Sequence, residues 1–141
     1  MVPVAAAAAQ ELRARGIDCG VAHARFAKPL DLDLLREIAR DVPRILTLEE
    51  HLSIGGFGTA VLEAFEENGL DSSGLRTHAI PDQFVEHSPQ ALQRRNLKLD
   101  PAGVVEVALL SFPELLRSSA APPAKSRPND ADEKVAETVT W

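Results

Sequence analysis

Residues 44–69, RILTLEEHLSIGGFGTAVLEAFEENG, contain the pattern that decides the fold. Residues 44–49 form a short apolar run, which predicts a buried strand. The polar, glycine-rich residues 50–58 predict a loop. Residues 59–68 predict a helix, because their apolar side chains recur on one helical face and Gly69 follows the last of them. A strand, a short loop and a helix in this order indicate an α/β domain.

The same alternation continues on both sides of this segment. The sequence predicts further helices at 4–15, 32–41, 89–95 and 101–116, and further strands at 19–25 and 75–80. Pro113 is expected to bend or shorten the last helix. Helices alternating with strands predict an α/β fold with helices packed on a mainly parallel sheet. Three short strands are few for a sheet covered on both faces, so we expect a preceding strand to be missing.

The composition predicts one folded domain followed by a tail. A chain of 141 residues is long enough for a single ordinary domain and too short for two. Residues 1–116 carry the periodic apolar patterns and form the predicted domain. Residues 117–141 are rich in Pro, Ser, Ala and charged side chains, which predicts a disordered tail because few apolar groups are present to offset its chain entropy.

The net charge and the number of cysteines limit the kinds of partner and the cellular compartment that we expect for this chain. The net charge of −6 and an aromatic content of 4% argue against nucleic acid and anionic membranes as partners. The chain contains no apolar run near the roughly 20 residues of a membrane span, and its apolar start lacks the basic residues of a targeting peptide. A single cysteine, Cys19, excludes an internal disulfide and fits a reducing cytoplasm.

The loop between the predicted strand at 44–49 and the helix at 59–68 is the first candidate site. Ligands of open α/β sheets bind at the carboxyl ends of strands, and Gly55, Gly56 and Gly58 would let backbone N–H groups approach an anion. The loop matches neither the dinucleotide fingerprint nor a Walker loop. The alternative is that these glycines serve a tight turn and close helix packing.

Charged side chains at the predicted strand ends are the second candidate site. Glu49 and His51 share one side of a strand by alternation and suggest an acid/base or metal pair, or a structural hydrogen bond. Arg25, after the strand at 19–25, either binds a carboxylate or phosphate or pairs with Glu49 or Glu50. The remaining histidines have no metal-ligand spacing.

Four segments of the chain, in order, resemble those of the 1-deoxy-D-xylulose-5-phosphate synthase family. They are RFAKPLD at 25–31, LTLEEH at 46–51, GGFGTAVLE at 55–63 and IPDQFVEH at 80–87. Ser88 stands where the family usually has Gly. The resemblance covers about residues 1–103. It lies in the family's third domain, which has the transketolase C-terminal fold, and this implies a three-layer α/β arrangement.

The resemblance implies a transferase that uses thiamine diphosphate and Mg²⁺. The family condenses pyruvate with glyceraldehyde 3-phosphate, releases CO₂ and begins isoprenoid synthesis. Its cofactor and metal ligands belong to the first two domains, and no Gly-Asp-Gly plus Asn motif occurs in this sequence. No catalytic, cofactor or metal residue is therefore carried over. The chain alone is expected to be inactive and to bind no cofactor, and its partners would be the missing synthase domains or a homodimer partner.

The resemblance also explains the missing strand. Residues 1–4, MVPV, resemble the end of a family turn that follows a strand lying between those equivalent to 19–25 and 44–49. Without this strand and an edge strand before it, backbone groups would be unpaired at about 1–3 kcal/mol each, against a net stability of about 5–15 kcal/mol. We therefore expect a fragment truncated at its N-terminus: a gene remnant, a mis-called start or the tail of a split enzyme. The alternative is that the flanking strands close up and pair.

Three functions follow from these features. The first is the C-terminal part of the synthase, which packs at a dimer interface and shapes one wall of the active-site cleft. The second is a stand-alone module that binds an anion or a small effector at loop 55–59. The third is an independent enzyme that uses Glu49 and His51.

Overall fold

The computed structural model describes residues 1–118 and contains six helices and two strands there. In chain order these are α1 (Val2–Ala14), α2 (Leu32–Asp41), β1 (Ile45–Leu52), α3 (Phe57–Glu67), β2 (Leu75–Ile80), α4 (Gln90–Asn96), α5 (Pro101–Ser111) and α6 (Leu115–Ser118). Four predicted helices and two predicted strands are confirmed to within about three residues at each end; the exceptions are the strand at 19–25 and the last helix. Of the predicted tail, residues 119–141 lie outside the described residues, and 117–118 belong to α6.

Local capping explains where several helices begin. Asp31 precedes α2, and its carboxylate accepts a hydrogen bond from the backbone N–H of Leu34 at 3.0 Å. Asp100 does the same for the N–H of Gly103 at 3.0 Å, and Pro101 occupies the first position of α5. Both caps satisfy an N–H group that has no partner within its own helix. None of the helices in the described part of the chain is long and apolar enough to span a membrane.

The predicted helix at 101–116 is split into two. α5 ends at Ser111, and a separate turn, α6, begins at Leu115. Pro113 lies between them and can neither donate a backbone hydrogen bond nor fit its ring into a continuous helix. The predicted shortening at this proline is confirmed.

The sheet within residues 1–118 has two parallel strands. Ile45 is opposite Leu75, and Leu48 is opposite His78. The N–H of Ile45 donates to the carbonyl of Gly74 at 2.9 Å, which joins the two strands at their start. Because α3 makes the crossover between the strands, their carboxyl ends lie at the same edge of the sheet.

Helices cover both faces of this sheet. On one face, α1 and α5 bury a core with residues such as Leu12 and Val105, against which Leu46 and Leu48 pack. On the other face, a second core around Phe65 of α3 contacts Ile45 and residues of α2. Successive side chains of β1 point to opposite cores, as the period of a strand requires. The predicted three-layer α/β arrangement is confirmed.

The predicted strand at 19–25 is wrong. The structure places no strand between α1 and α2, and residues 20–29 are exposed. Cys19 alone among residues 19–25 is partly buried; it packs on the core of α1 and α5, and its carbonyl accepts a hydrogen bond from Arg13 Nε at 2.8 Å. A strand is stabilised by the hydrogen bonds of its neighbours, and within the described chain β1 pairs with β2 only. The apolar pattern of 19–25 is therefore not sufficient to form a strand here.

Candidate functional site

Glu49 is a buried carboxylate that caps helix α3. It lies near the carboxyl end of β1 and is only 8% exposed. Its Oε2 accepts a hydrogen bond from the N–H of Phe57 and its Oε1 one from the N–H of Gly58, both at 2.7 Å. Gly56, the N-cap residue, has no side chain to make these bonds. Glu49 therefore supplies both the missing cap and a negative charge at the positive end of the helix.

Two glycines of the loop allow this contact. A Cβ at Gly56 would lie 2.4 Å from Glu49 Oε2 and 2.5 Å from the carbonyl oxygen of Leu52. A Cβ at Gly58 would lie 2.7 Å from Thr47 Oγ1, a buried hydroxyl with no hydrogen-bond partner within residues 1–118. The start of α3 is thus pressed against the sheet so closely that neither position has room for a side chain.

The predicted anion loop already binds an anion from its own chain. Two backbone amides of the predicted loop 55–59, those of residues 57 and 58, donate to Glu49. Gly55 adopts a φ of 70°, and Thr59 Oγ1 donates to the carbonyl of Ser53 at 2.9 Å, which closes the turn. An external anion would have to displace a buried carboxylate to reach these two N–H groups.

Glu50 points away from Glu49 and forms an ion pair with α4. Its Oε1 accepts from Arg94 Nε at 2.9 Å and its Oε2 from Arg94 Nη2 at 2.7 Å. Gln90 Nε2 lies 3.4 Å from the same Oε1. The hydrogen bonds from Arg94 lower the pKa of Glu50 below its ordinary value, so the carboxylate is charged at neutral pH. Sequence reasoning missed Arg94, which lies 44 residues away in the chain.

His51 is exposed at the end of β1. Its ring Nδ1 lies 3.3 Å from the carbonyl oxygen of Leu52. The register of β1 against β2 is irregular between Leu48 and Leu52, which is where Glu49 and His51 lie. Because both oxygens of Glu49 face the amides of α3, the structure directs this carboxylate to the helix and not to the imidazole.

Arg25 lies in the exposed segment before α2. Its guanidinium stands 5.6 Å from the centre of the Phe26 ring, within the range of a cation–π contact. The two carboxylates proposed as its partners, Glu49 and Glu50, bind the amides of α3 and the guanidinium of Arg94. A cleft of about 340 Å³ adjoins Arg25 and is lined mainly by residues 23–34.

The burial and the contact of the Cys19 thiol indicate a structural role. It lies 3.6 Å from the carbonyl oxygen of Ala9 and is partly buried. Burial raises its pKa above the ordinary value, so the unreactive thiol form predominates at neutral pH.

The described residues do not form a donor set for a metal cofactor. Mg²⁺ in a diphosphate site is held by carboxylate and other oxygen ligands. No group of three His, Cys, Asp or Glu side chains within residues 1–118 is arranged to hold an ion, and the buried carboxylate of Glu49 is engaged by α3. These residues therefore do not fit the Mg²⁺ of a thiamine diphosphate site.

Two parallel strands between helical layers, with polar residues at the strand ends, define a three-layer α/β domain. The family model described as "Transketolase, C-terminal domain" matches residues 1–104. The chain belongs to the transketolase C-terminal domain family.

Two curated relatives that share one name with each other match most of this chain. The 1-deoxy-D-xylulose-5-phosphate synthase of Syntrophus aciditrophicus is 44% identical over 112 residues, which are 79% of this chain and 17% of that protein. The synthase of Heliobacterium modesticaldum is 43% identical over 108 residues, or 77% of this chain and 16% of that protein. The chain therefore spans about one sixth of the length of these relatives.

A solved structure supports the same fold. It is described as a split gene transketolase, an inactive beta4 tetramer. It superposes with a TM-score of 0.66 at 33% sequence identity and covers 82% of this chain and 37% of the other.

Proposed function

We propose that this chain serves as the C-terminal domain of a 1-deoxy-D-xylulose-5-phosphate synthase. In this role it packs against the other domains and forms one wall of the active-site cleft without carrying the chemistry. The identity of 44% over 112 residues with the Syntrophus aciditrophicus synthase is the observation that carries the proposal. The segments that match the family include β1, the glycine loop and the start of α3.

The contacts at the strand ends support a structural role. Glu49 is engaged by two backbone N–H groups, and Glu50 is engaged by Arg94. A general acid or base must reach a substrate proton, and neither carboxylate is free to do so without breaking these bonds. Glu49 and Glu50 therefore fix the geometry of the strand-end loop.

The cofactor of the complete enzyme would be held elsewhere. The synthase reaction requires thiamine diphosphate and Mg²⁺ according to the family resemblance. We propose that the remaining domains bind both, and that this chain contributes no ligand to either. Its partners are then those domains or a second copy of the enzyme, in the cytoplasm.

A chimeric synthase tests this function. The matched 112-residue segment of the Syntrophus aciditrophicus synthase is replaced by this chain, and formation of deoxyxylulose phosphate is measured. The control is the same synthase with the segment deleted. We expect the chimera to keep at least about a tenth of the parent activity and the deletion to be inactive. A soluble chimera no more active than the deletion would contradict the proposal.

The alternative is a stand-alone module that binds an anion at loop 55–59. The carboxylate of Glu49 would compete with such an anion. An external phosphate would have to displace this carboxylate, which accepts two hydrogen bonds of 2.7 Å. Titration calorimetry of the full chain with phosphate-bearing metabolites distinguishes the two functions. Absence of heat at millimolar ligand removes the module, whereas saturable heat supports it.

A further inference from the structure

Large apolar side chains are exposed where the two strands end. Leu52 is the last residue of β1, and Ile54 follows it in the loop. Phe84 and Val85 lie in the loop after β2. Phe84 is fully exposed and Ile54 is 66% exposed. We call these four residues the strand-end patch. Scattered apolar residues are normal on a surface, whereas several at one edge indicate an interaction site.

The loops that carry the patch are anchored to the fold. The N–H of Ser53 donates to the carbonyl of Ile80 at 2.8 Å, so both loops start side by side. At the far end of the second loop, Gln93 Nε2 of α4 donates to the carbonyl of Glu86 at 3.3 Å. The ion pair of Glu50 with Arg94 ties α4 to the end of β1. Phe84 is thus exposed on a loop that is fixed at both ends.

We propose that the strand-end patch is the surface on which this domain docks the remainder of the synthase. The inference rests on the proposed function and names its contact surface. About five sixths of the length of the relatives lies outside the match, and that part would present an apolar surface to Phe84 and Ile54. Aromatic residues with a polar rim are typical of the centre of an interface.

The charge around the patch favours this occupant over a second copy of the chain. Asp82 and Glu86 flank Phe84 and Val85, and both are exposed. A symmetric pair would place the same patch on both subunits and bring these like charges together, which is unfavourable. The occupant therefore has an apolar centre and basic side chains opposite Asp82 and Glu86.

Thiol labelling at position 84 tests the docking surface without relying on activity. Phe84→Cys is made in a Cys19→Ala background, both in the full chain and in the chimeric synthase. Maleimide modification is followed at the labelled peptide by mass spectrometry. Leu110→Cys is the matched control, because Leu110 is 69% exposed and belongs to α5, which carries none of the patch residues. We expect labelling at position 84 to be at least about tenfold slower in the chimera than in the chain, and labelling at position 110 to be unchanged.

Each outcome decides the proposal. Equal labelling rates at position 84 in an active chimera would overturn the docking surface and leave the proposed function standing. Protection at position 110 with none at position 84 would also overturn it. Slow labelling of the isolated chain that depends on its concentration would assign the patch to a second copy instead. Protection at position 84 in an inactive chimera would support the docking surface and contradict the function.

Discussion

The carboxylate of Glu49 shows how one residue type can suggest two different roles. A glutamate beside a histidine at a strand end fits an acid/base pair, and it also fits a helix cap. The two hydrogen bonds of 2.7 Å to the N–H groups of Phe57 and Gly58 favour the cap. A charged acceptor at these otherwise unpaired donors stabilises the start of α3.

Neutralising Glu49 should destabilise the domain. In Glu49→Gln the side chain keeps its shape but loses its charge and one acceptor oxygen. We expect a loss of about 1–2 kcal/mol in the free energy of unfolding. Urea unfolding of the full chain, followed by circular dichroism, measures it. Glu63→Gln, at an exposed position of α3, is the control and should change little. Equal losses in the two variants would contradict the cap.

Gly58 should tolerate no side chain. Its Cβ would lie 2.7 Å from Thr47 Oγ1 and 2.8 Å from Thr77 Cγ2, so Gly58→Ala must push α3 away from the sheet. We expect a cost of about 1–3 kcal/mol, the usual range for overpacking. Gly20→Ala is the control, since nothing lies within 4 Å of its Cβ position. The midpoints of thermal unfolding of the two variants should differ clearly, and equal midpoints would refute the close approach.

Contacts between residues close in the chain can be derived from the sequence, whereas contacts between distant residues cannot. The caps at Asp31 and Asp100 join residues three positions apart. The contact of Glu49 with the start of α3 depends on how the loop between them folds back. The pair of Glu50 and Arg94 depends on where α4 packs, which no local pattern contains.

Among the secondary structure elements, β1 shows most clearly how hydrogen bonding depends on a neighbouring strand. Its N–H at Ile45 points to β2, so those of Thr47 and Glu49 do too, while those of Leu46 and Leu48 face the opposite edge. Within residues 1–118 this opposite edge has no paired strand. The prediction of a strand at 19–25 failed for the same reason, because apolar residues form a strand only beside a partner.

Hydrogen exchange should reveal this difference along β1. We expect the amides of Thr47 and Glu49 to exchange at least about tenfold more slowly than those of Leu46 and Leu48, because the alternation that starts at Ile45 directs only the former toward β2. Nuclear magnetic resonance of the full chain measures each amide separately. Equal protection of all four would mean that another strand pairs with the outer edge of β1.

The link between β1 and α4 should depend on pH. Arg94 lowers the folded-state pKa of Glu50 from its ordinary value of 4.5, so the pair stabilises the fold above about pH 4.5. This stabilisation is lost as pH falls through the lower folded-state pKa. Arg94→Gln should be less stable than wild type near pH 6, and this difference should shrink as pH falls below 4.5. Urea unfolding across this range measures it, with Arg95→Gln as the control. A difference that does not vary with pH would refute the ion pair.

For the molecule as a whole, the sequence predicted the layers better than the sheet. The helical periodicity of α2 and α3 and the apolar run of β1 were sufficient to predict helices on a parallel sheet. The number of strands depends on partners that local patterns do not specify. Glu49 and His51 lie in the second half of β1 and the glycines in the loop after it, whereas Arg25 follows no strand. The contacts of Glu49 and Glu50 could not be derived before the packing of α3 and α4 was known.

This chain, as we propose, supports a synthase and does not perform its chemistry. The most direct measurement is turnover by the purified full chain alone. Pyruvate, glyceraldehyde 3-phosphate, thiamine diphosphate and Mg²⁺ are supplied, and deoxyxylulose phosphate is detected by mass spectrometry. We predict no product above the rate without protein. Sustained formation of deoxyxylulose phosphate by the isolated chain would contradict the claim.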